Sequence, residues 1–175
     1  MNNIYLIVGR SGSGKDTVVD YLCKHYGYKR IVSYTTRPPR NAQDKHIFVT
    51  DEEFDRLKNI VAYTEYNGYR YCATAEQVED ADLYIIDPAG VEYFKRLYKG
   101  NKGVKVIGLL VADLLALRRM LNRGDSLKQV SERCQNDRII FSNLPSICDC
   151  LINADCELPE VAKRINEYIE SEEDK

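Results

Sequence analysis

An α/β fold, a parallel sheet flanked by helices, is predicted from three features of this 175-residue sequence. Short apolar runs alternate with segments of helical period, the pattern of successive βα units. The first run, residues 4–8, is apolar and strand-forming, as suits a strand covered on both faces. It stops at Gly9, and GRSGSGK then leads straight into a helical pattern, so this loop belongs at the carboxyl end of the first strand.

Gly9, the four residues Arg10, Ser11, Gly12 and Ser13, then Gly14 and Lys15, have the spacing of a phosphate-binding P-loop. Glycines let backbone N–H groups converge on an anion, and Lys15 adds a point charge for the outer phosphates. The helix that follows aims its positive dipole end at the same place. The usual form carries Ser or Thr directly after the lysine to reach magnesium. Here Asp16 holds that place and Thr17 comes next, which makes Asp16 a candidate magnesium contact. A plain Gly/Ser turn with an exposed lysine is the competing reading, and the strand, loop and helix order argues against it.

Val18, Val19, Leu22, Cys23 and Tyr26 recur at helical spacing, and Gly27 closes a helix over residues 15–26. Ile31 and Val32 begin a second strand. In SYTTRPPR the prolines forbid regular structure, so Arg37 and Arg40 lie on a stiff connection. Residues 47–50 read as a strand and a short helix opens at Asp51, with acids in its first turn. Asn67-Gly68 between two aromatic runs signals a hairpin. The tyrosines at 63, 66, 69 and 71 fit either stacking on a base or an aromatic hairpin face.

Alternation resumes with a strand over residues 83–87 ending in Asp87, then a helix from Pro88 to about residue 98. A strand at 104–111 leads to a helix at Asp113–Asn122 with Leu114, Leu117, Arg118 and Leu121 at helical spacing. Residues 127–141 form a charged helical stretch carrying Arg133 and Arg138, whose plain reading is a solvated face. A strand at Cys150–Asn153 precedes an amphipathic helix with Val161, Ile165 and Ile169, and the acidic tail 170–175 is expected to fray. Five strands are thus expected in one parallel sheet, with residues 9–15, 33–40 and Asp87 on its carboxyl edge, where ligands of such sheets bind.

A net charge of −2 gives no basic field for nucleic acid. No apolar run approaches the length of a membrane span and no signal-peptide pattern is present, so a cytoplasmic location is expected. The six cysteines read as free thiols. Cys148, Cys150 and Cys156 lack the second knuckle of a structural zinc site.

GRSGSGK, VSYTTRPPR, IFVTDEEFDRL, NGYRY, IIDPAGVEYF, LNRGDS, SER and LIN together resemble the guanylate kinase family from Leu6 to about the final helix. The resemblance implies a P-loop core (1–33, 75–122 and 142–175), an acceptor-binding lobe (34–74) and a lid (123–141). It implies ATP-dependent phosphoryl transfer to a nucleoside monophosphate, GMP or dGMP, with Mg2+ accompanying ATP. It assigns Gly9 to Thr17 and Asn153 to ATP, and Ser33, Arg37, Arg40 and Tyr71 to the acceptor phosphate. Asp87 matches the second acid of a DxD motif and is a second candidate magnesium contact. Lys15, Arg37, Arg123 and Arg133 would carry catalysis, the last two from the lid. His46 stands at a family tyrosine, able to bond a phosphate oxygen or simply to serve as a lobe histidine.

Ala62 and Ala73 occupy places where the family carries polar groups that read guanine, and Ile85 replaces the first acid of DxD. An acceptor with another base, or a non-catalytic binding module built on the same frame, are therefore the alternatives. No nucleic-acid or membrane partner is expected, and the chain is expected to be a monomer or homodimer.

Overall fold

The computed structural model describes residues 1–39, 44–66 and 68–175, so Arg40 lies outside it. In chain order the elements are β1 (Asn3–Val8), α1 (Lys15–Tyr26), β2 (Tyr34–Thr35), β3 (Ile47–Phe48), α2 (Asp51–Asp55), β4 (Ile60–Tyr66), β5 (Tyr69–Thr74) and α3 (Ala75–Glu79). Then follow β6 (Leu83–Ile85), α4 (Pro88–Leu97), β7 (Gly103–Leu110), α5 (Asp113–Asn122), α6 (Leu127–Ile140), α7 (Leu144–Ile147), β8 (Cys150–Asn153) and α8 (Leu158–Glu173).

β1 is central, because its residues are the most apolar and can be buried on both faces. The main sheet is parallel with order β6-β1-β7-β8, and Ile7 pairs with Ile85 on one side and Ile107 on the other. Alternate residues of β1 feed two cores. Tyr5 and Ile7 pack with Val19 and Leu22 of α1 and Ile165 and Ile169 of α8. Ile4, Leu6 and Val8 face Val91 and Phe94 of α4 and the hairpin residues Val61, Ala62 and Ala73. Each fully buried aliphatic side chain here contributes roughly 1.5–3 kcal/mol relative to exposure. The sheet is thereby held from both sides, and the loop at the end of β1 inherits that rigidity.

The expected five-stranded sheet has four strands among the described residues. At Ile31 and Val32 the expected strand is only a bridge between Arg30 and Leu83. Ile31 N donates to Leu83 O at 2.8 Å, but Val32 O is taken by the Gln77 side chain at 2.8 Å. The chain then leaves the sheet to form β2 in a second, mixed sheet of order β3-β2-β5-β4. The strand expected at 47–50 is shorter too, since Thr50 caps α2 in a reciprocal box with Glu53. Likewise the strand expected at 83–87 ends at Ile85, and Asp87 caps α4.

Two further expectations are corrected. On α5 the buried residues are Ala116 and Met120, while Leu114 is 82 % exposed. Ala116 wins that face because its small side chain lets the helix lie against Gly12, where an added Cβ would come within 2.5 Å of Ala116 O. The tail is not frayed, because α8 runs to Glu173 and its carboxylate accepts from Asn2 N at 2.6 Å, Asn3 Nδ2 at 2.9 Å and Tyr5 Oη at 2.9 Å. Burial raises the Glu173 pKa, but these bonds outweigh it and leave the group below its ordinary value. Glu172 pairs with Lys105 at the start of β7. The short helices α3 and α7 were not anticipated.

Candidate active site

The loop at the end of β1 is shaped by backbone geometry. Gly12 and Gly14 have φ of 76° and 89°, a left-handed conformation that side chains disfavour. Lys15 opens α1 and bends back, donating to Gly9 O and, at 3.0 Å, to Arg10 O. Burial pulls its pKa below the ordinary lysine value, while Asp16 and Asp137 act against that shift. Ser13 Oγ is buried and has no partner among the described residues. Asp16 and Thr17 are exposed, and the Asp16 carboxylate lies 3.5 Å from Arg30.

A cavity of about 1070 Å³ opens on one side of this loop. Residues 11–18 line it together with Arg119, Arg123, Arg133, Ala154, Cys156 and Leu158. Arg123 and Arg133 reach the cavity from the α5–α6 connection and α6. Both are held by Asp125, with Arg133 Nε at 3.5 Å. Hydrogen bonding from Arg123 keeps the Asp125 carboxyl below its usual range, against the opposing effect of burial.

Arg119 was not singled out by the sequence pattern. It donates to Gly12 O at 3.4 Å, Ser13 O at 3.3 Å and Ala154 O at 3.1 Å, tying the loop to the end of β8. Arg10 turns away from the loop to Val111 O and Asp113. Asn153 accepts from Asp155 N at 2.8 Å, and it is its neighbours Ala154 and Cys156 that line the cavity.

On the other side of Lys15 lies a second cavity of about 280 Å³. Ser11 and Lys15 line both cavities. Ser33, His46, Tyr71 and Asp87 line the second, with Ala62, Tyr63 and Thr64 from β4. Asp137 and Phe141 close it from α6. Ser33 Oγ lies 3.2 Å from Tyr84 Oη, and burial pushes the Tyr84 phenol up to about 12. Asp87 Oδ1 accepts from Gly90 N at 2.7 Å, leaving its second oxygen available.

Arg37 stands behind this wall. Its side chain is 7 % exposed and that of Asp44 8 %, and Arg37 Nη2 lies 2.8 Å from Asp44 Oδ2. Its Nε donates to Tyr71 Oη at 3.1 Å, and the other oxygen of Asp44 meets His46 Nδ1 at 2.8 Å. Burial opposes the charge of Arg37, but the bonds to Asp44 and Tyr71 outweigh it and raise its pKa. His46 thus has a carboxylate partner. Among the four hairpin tyrosines, Tyr63 and Tyr71 line the cavity and Tyr69 is exposed. Ala62 and Ala73 are buried in the apolar core between hairpin and α4.

The sequence pattern singled out none of Asp44, Asp125 and Asp137: Asp44 and Asp125 act through residues only two to eight positions away, whereas the partner of Asp137 lies 126 positions away. Oxygen donors suited to a hard cation are present beside the loop in Asp16 and Thr17 and across from it in Asp87. The described residues contain no cluster of three or more His, Cys, Asp or Glu able to hold a metal by themselves. All six cysteines are free thiols, and among the described residues no helix is long and apolar enough to cross a membrane.

Comparison with known proteins agrees with this arrangement. A family model described as guanylate kinase matches residues 1–172. The guanylate kinase of Neisseria meningitidis serogroup A is 41 % identical over 144 residues, 75 % of this chain and 69 % of that protein. That of Fusobacterium nucleatum is 27 % identical over 175 aligned positions, covering 86 % of this chain and 94 % of its own length. Among solved structures, guanylate kinase from Anaplasma phagocytophilum superposes with a TM-score of 0.65 at 18 % identity, over 99 % of this chain and 87 % of that one, a likeness of fold. With the family model spanning nearly every residue, the chain belongs to the guanylate kinase family.

Proposed function

We propose that this protein transfers the γ-phosphoryl group of ATP to GMP, giving ADP and GDP. One observation carries the reading: a large phosphate-loop cavity and a smaller side-chain-lined cavity meet at Ser11 and Lys15. A phosphoryl group passing between two bound nucleotides needs such a junction, because the attacking and leaving oxygens lie roughly in line across it.

The loop amides and Lys15 hold the outer phosphates of ATP. Ser33, Tyr71 and His46 present hydrogen-bonding groups to the acceptor phosphate, with Arg40 on the same connection. Arg37, paired with Asp44, supports Tyr71 and His46 from behind the wall. Residues 123–141 act as the lid, from which Arg123 and Arg133 stabilise charge that spreads over the transferring group. Asp16, Thr17 and Asp87 are the residues that would hold Mg2+, which when bound would neutralise the phosphate oxygens.

Ala62 and Ile85 in the acceptor wall offer no polar side-chain atom to a base. This favours a second reading, the same reaction with an acceptor base other than guanine. ADP release measured with Mg2+-ATP and GMP, dGMP, AMP, CMP, UMP and dTMP separates the two. Preferential turnover of GMP or dGMP is expected. A different preferred base establishes the second reading, and no turnover with any acceptor overturns the kinase assignment.

A further inference from the structure

A carboxylate from the lid occupies a position on the loop where a phosphate oxygen would be held. Ser11 N donates to Asp137 Oδ2 at 2.7 Å, across 126 positions of sequence. Asp137 lies on α6, partly buried, and lines the acceptor cavity beside Ser11 and Lys15.

The contact is not needed to build α6. That helix is already capped, its Ser126 side chain accepting from Gln129 N at 3.3 Å. Nor does Asp137 pair with Arg133, which together with Arg123 is held by Asp125. Arg123 and Arg133 thus draw on a lid carboxylate, while another lid acid reaches across to the loop. A carboxylate accepting from a backbone amide forms a charge-assisted bond, and the nearby ammonium of Lys15 favours any anion there. A triphosphate oxygen requires the same amide. Carboxylate and phosphate repel each other at that distance, so one must leave for the other to bind.

We propose that Asp137 sets the affinity of the donor site by occupying one of the loop's anion positions until a triphosphate displaces it. Until then the same bond keeps α6, with Phe141, over the acceptor cavity. This inference rests on reading the loop as the triphosphate site.

The test is calorimetric titration of inorganic tripolyphosphate into the full chain and its Asp137→Asn variant, without acceptor. The neutral amide keeps the shape and removes the competing charge, so tripolyphosphate is expected to bind the variant about ten-fold more tightly. Equal or weaker binding by the variant overturns the proposal, as a lid tether without competition would leave the affinity unchanged. Binding to neither protein overturns the donor-site reading and the proposal with it.

A second measurement needs no variant to fold. Deuterium exchange at the Ser11 amide of the wild type is expected to be slowed at least ten-fold relative to an open loop amide. Exchange at the rate of a solvent-exposed amide refutes the contact.

Discussion

The two halves of the site hold charge in different ways. On the donor side, Lys15 is held by carbonyls of its own loop, and the loop is fixed by a strand buried on both faces. On the acceptor side, Arg37 is held by side chains, Asp44 above all, on the connection between strands β2 and β3 of two residues each. A cation held by backbone can be removed without orphaning another charge. One tied into a network of side chains cannot be removed without disturbing that network, so function and stability are separable in the donor half and coupled in the acceptor lobe.

Lys15→Ala tests the first half of that contrast most severely. We expect kcat/KM to fall about 10³-fold, the scale for losing a preorganised charge at the transferring group, with the thermal midpoint nearly unchanged. Retained activity removes Lys15 from the mechanism, and a large loss of stability removes the contrast.

Arg37→Ala tests the other half. Deleting Arg37 removes its ion pair with Asp44 and its bond to Tyr71, a cost of about 2–3 kcal/mol, and loosening Tyr71 and His46 should raise the acceptor KM about ten-fold. A denaturant melt superimposable on the wild type would show that the lobe tolerates the loss as the loop does. For Arg133→Ala the expected change is about 10²-fold in kcat with KM within about two-fold, since the lid arginine acts on charge that develops in the transition state. A rise confined to KM would make it a ground-state contact instead.

Glu173→Gln, remote from both cavities, serves as the control. It weakens bonds to Asn2, Asn3 and Tyr5 and is expected to lower stability by about 1–2 kcal/mol without altering kinetics. Because the native pKa of Glu173 is lowered, its contribution is present above the ordinary carboxylate value of 4.5 and is lost as pH falls through the lowered one. Melts of wild type and variant should therefore converge only in strong acid.

The donor half was largely legible in the sequence because its chemistry is contiguous. Gly9 to Lys15 specify strand end, turn and helix start in one stretch, and α1 ends at Gly27, in the left-handed conformation. The acceptor lobe was legible only in part. SYTTRPPR identifies Arg37, but not that Asp44 would bury it, nor that His46 would share the same carboxylate. Arg119 was missed because the leucines of α5 suggested another buried face. Leu114 and Leu117 match the helical period, yet the close approach of Gly12 to Ala116 decides which side packs. The tail at 170–175 misled for a related reason, its acids being read for composition while Glu173 is held by the start of the chain and Glu172 by Lys105 of β7.

The order of the main sheet has a consequence for how the protein is made. β1 is synthesised first, but its neighbours β6 and β7 come from residues 83–85 and 103–110. The bonds at its leading end wait for Glu173. On a ribosome that adds residues one at a time, the loop at Gly9 leaves the exit tunnel long before anything can hold it in shape. It becomes able to grip an anion only after more than half of the chain has emerged.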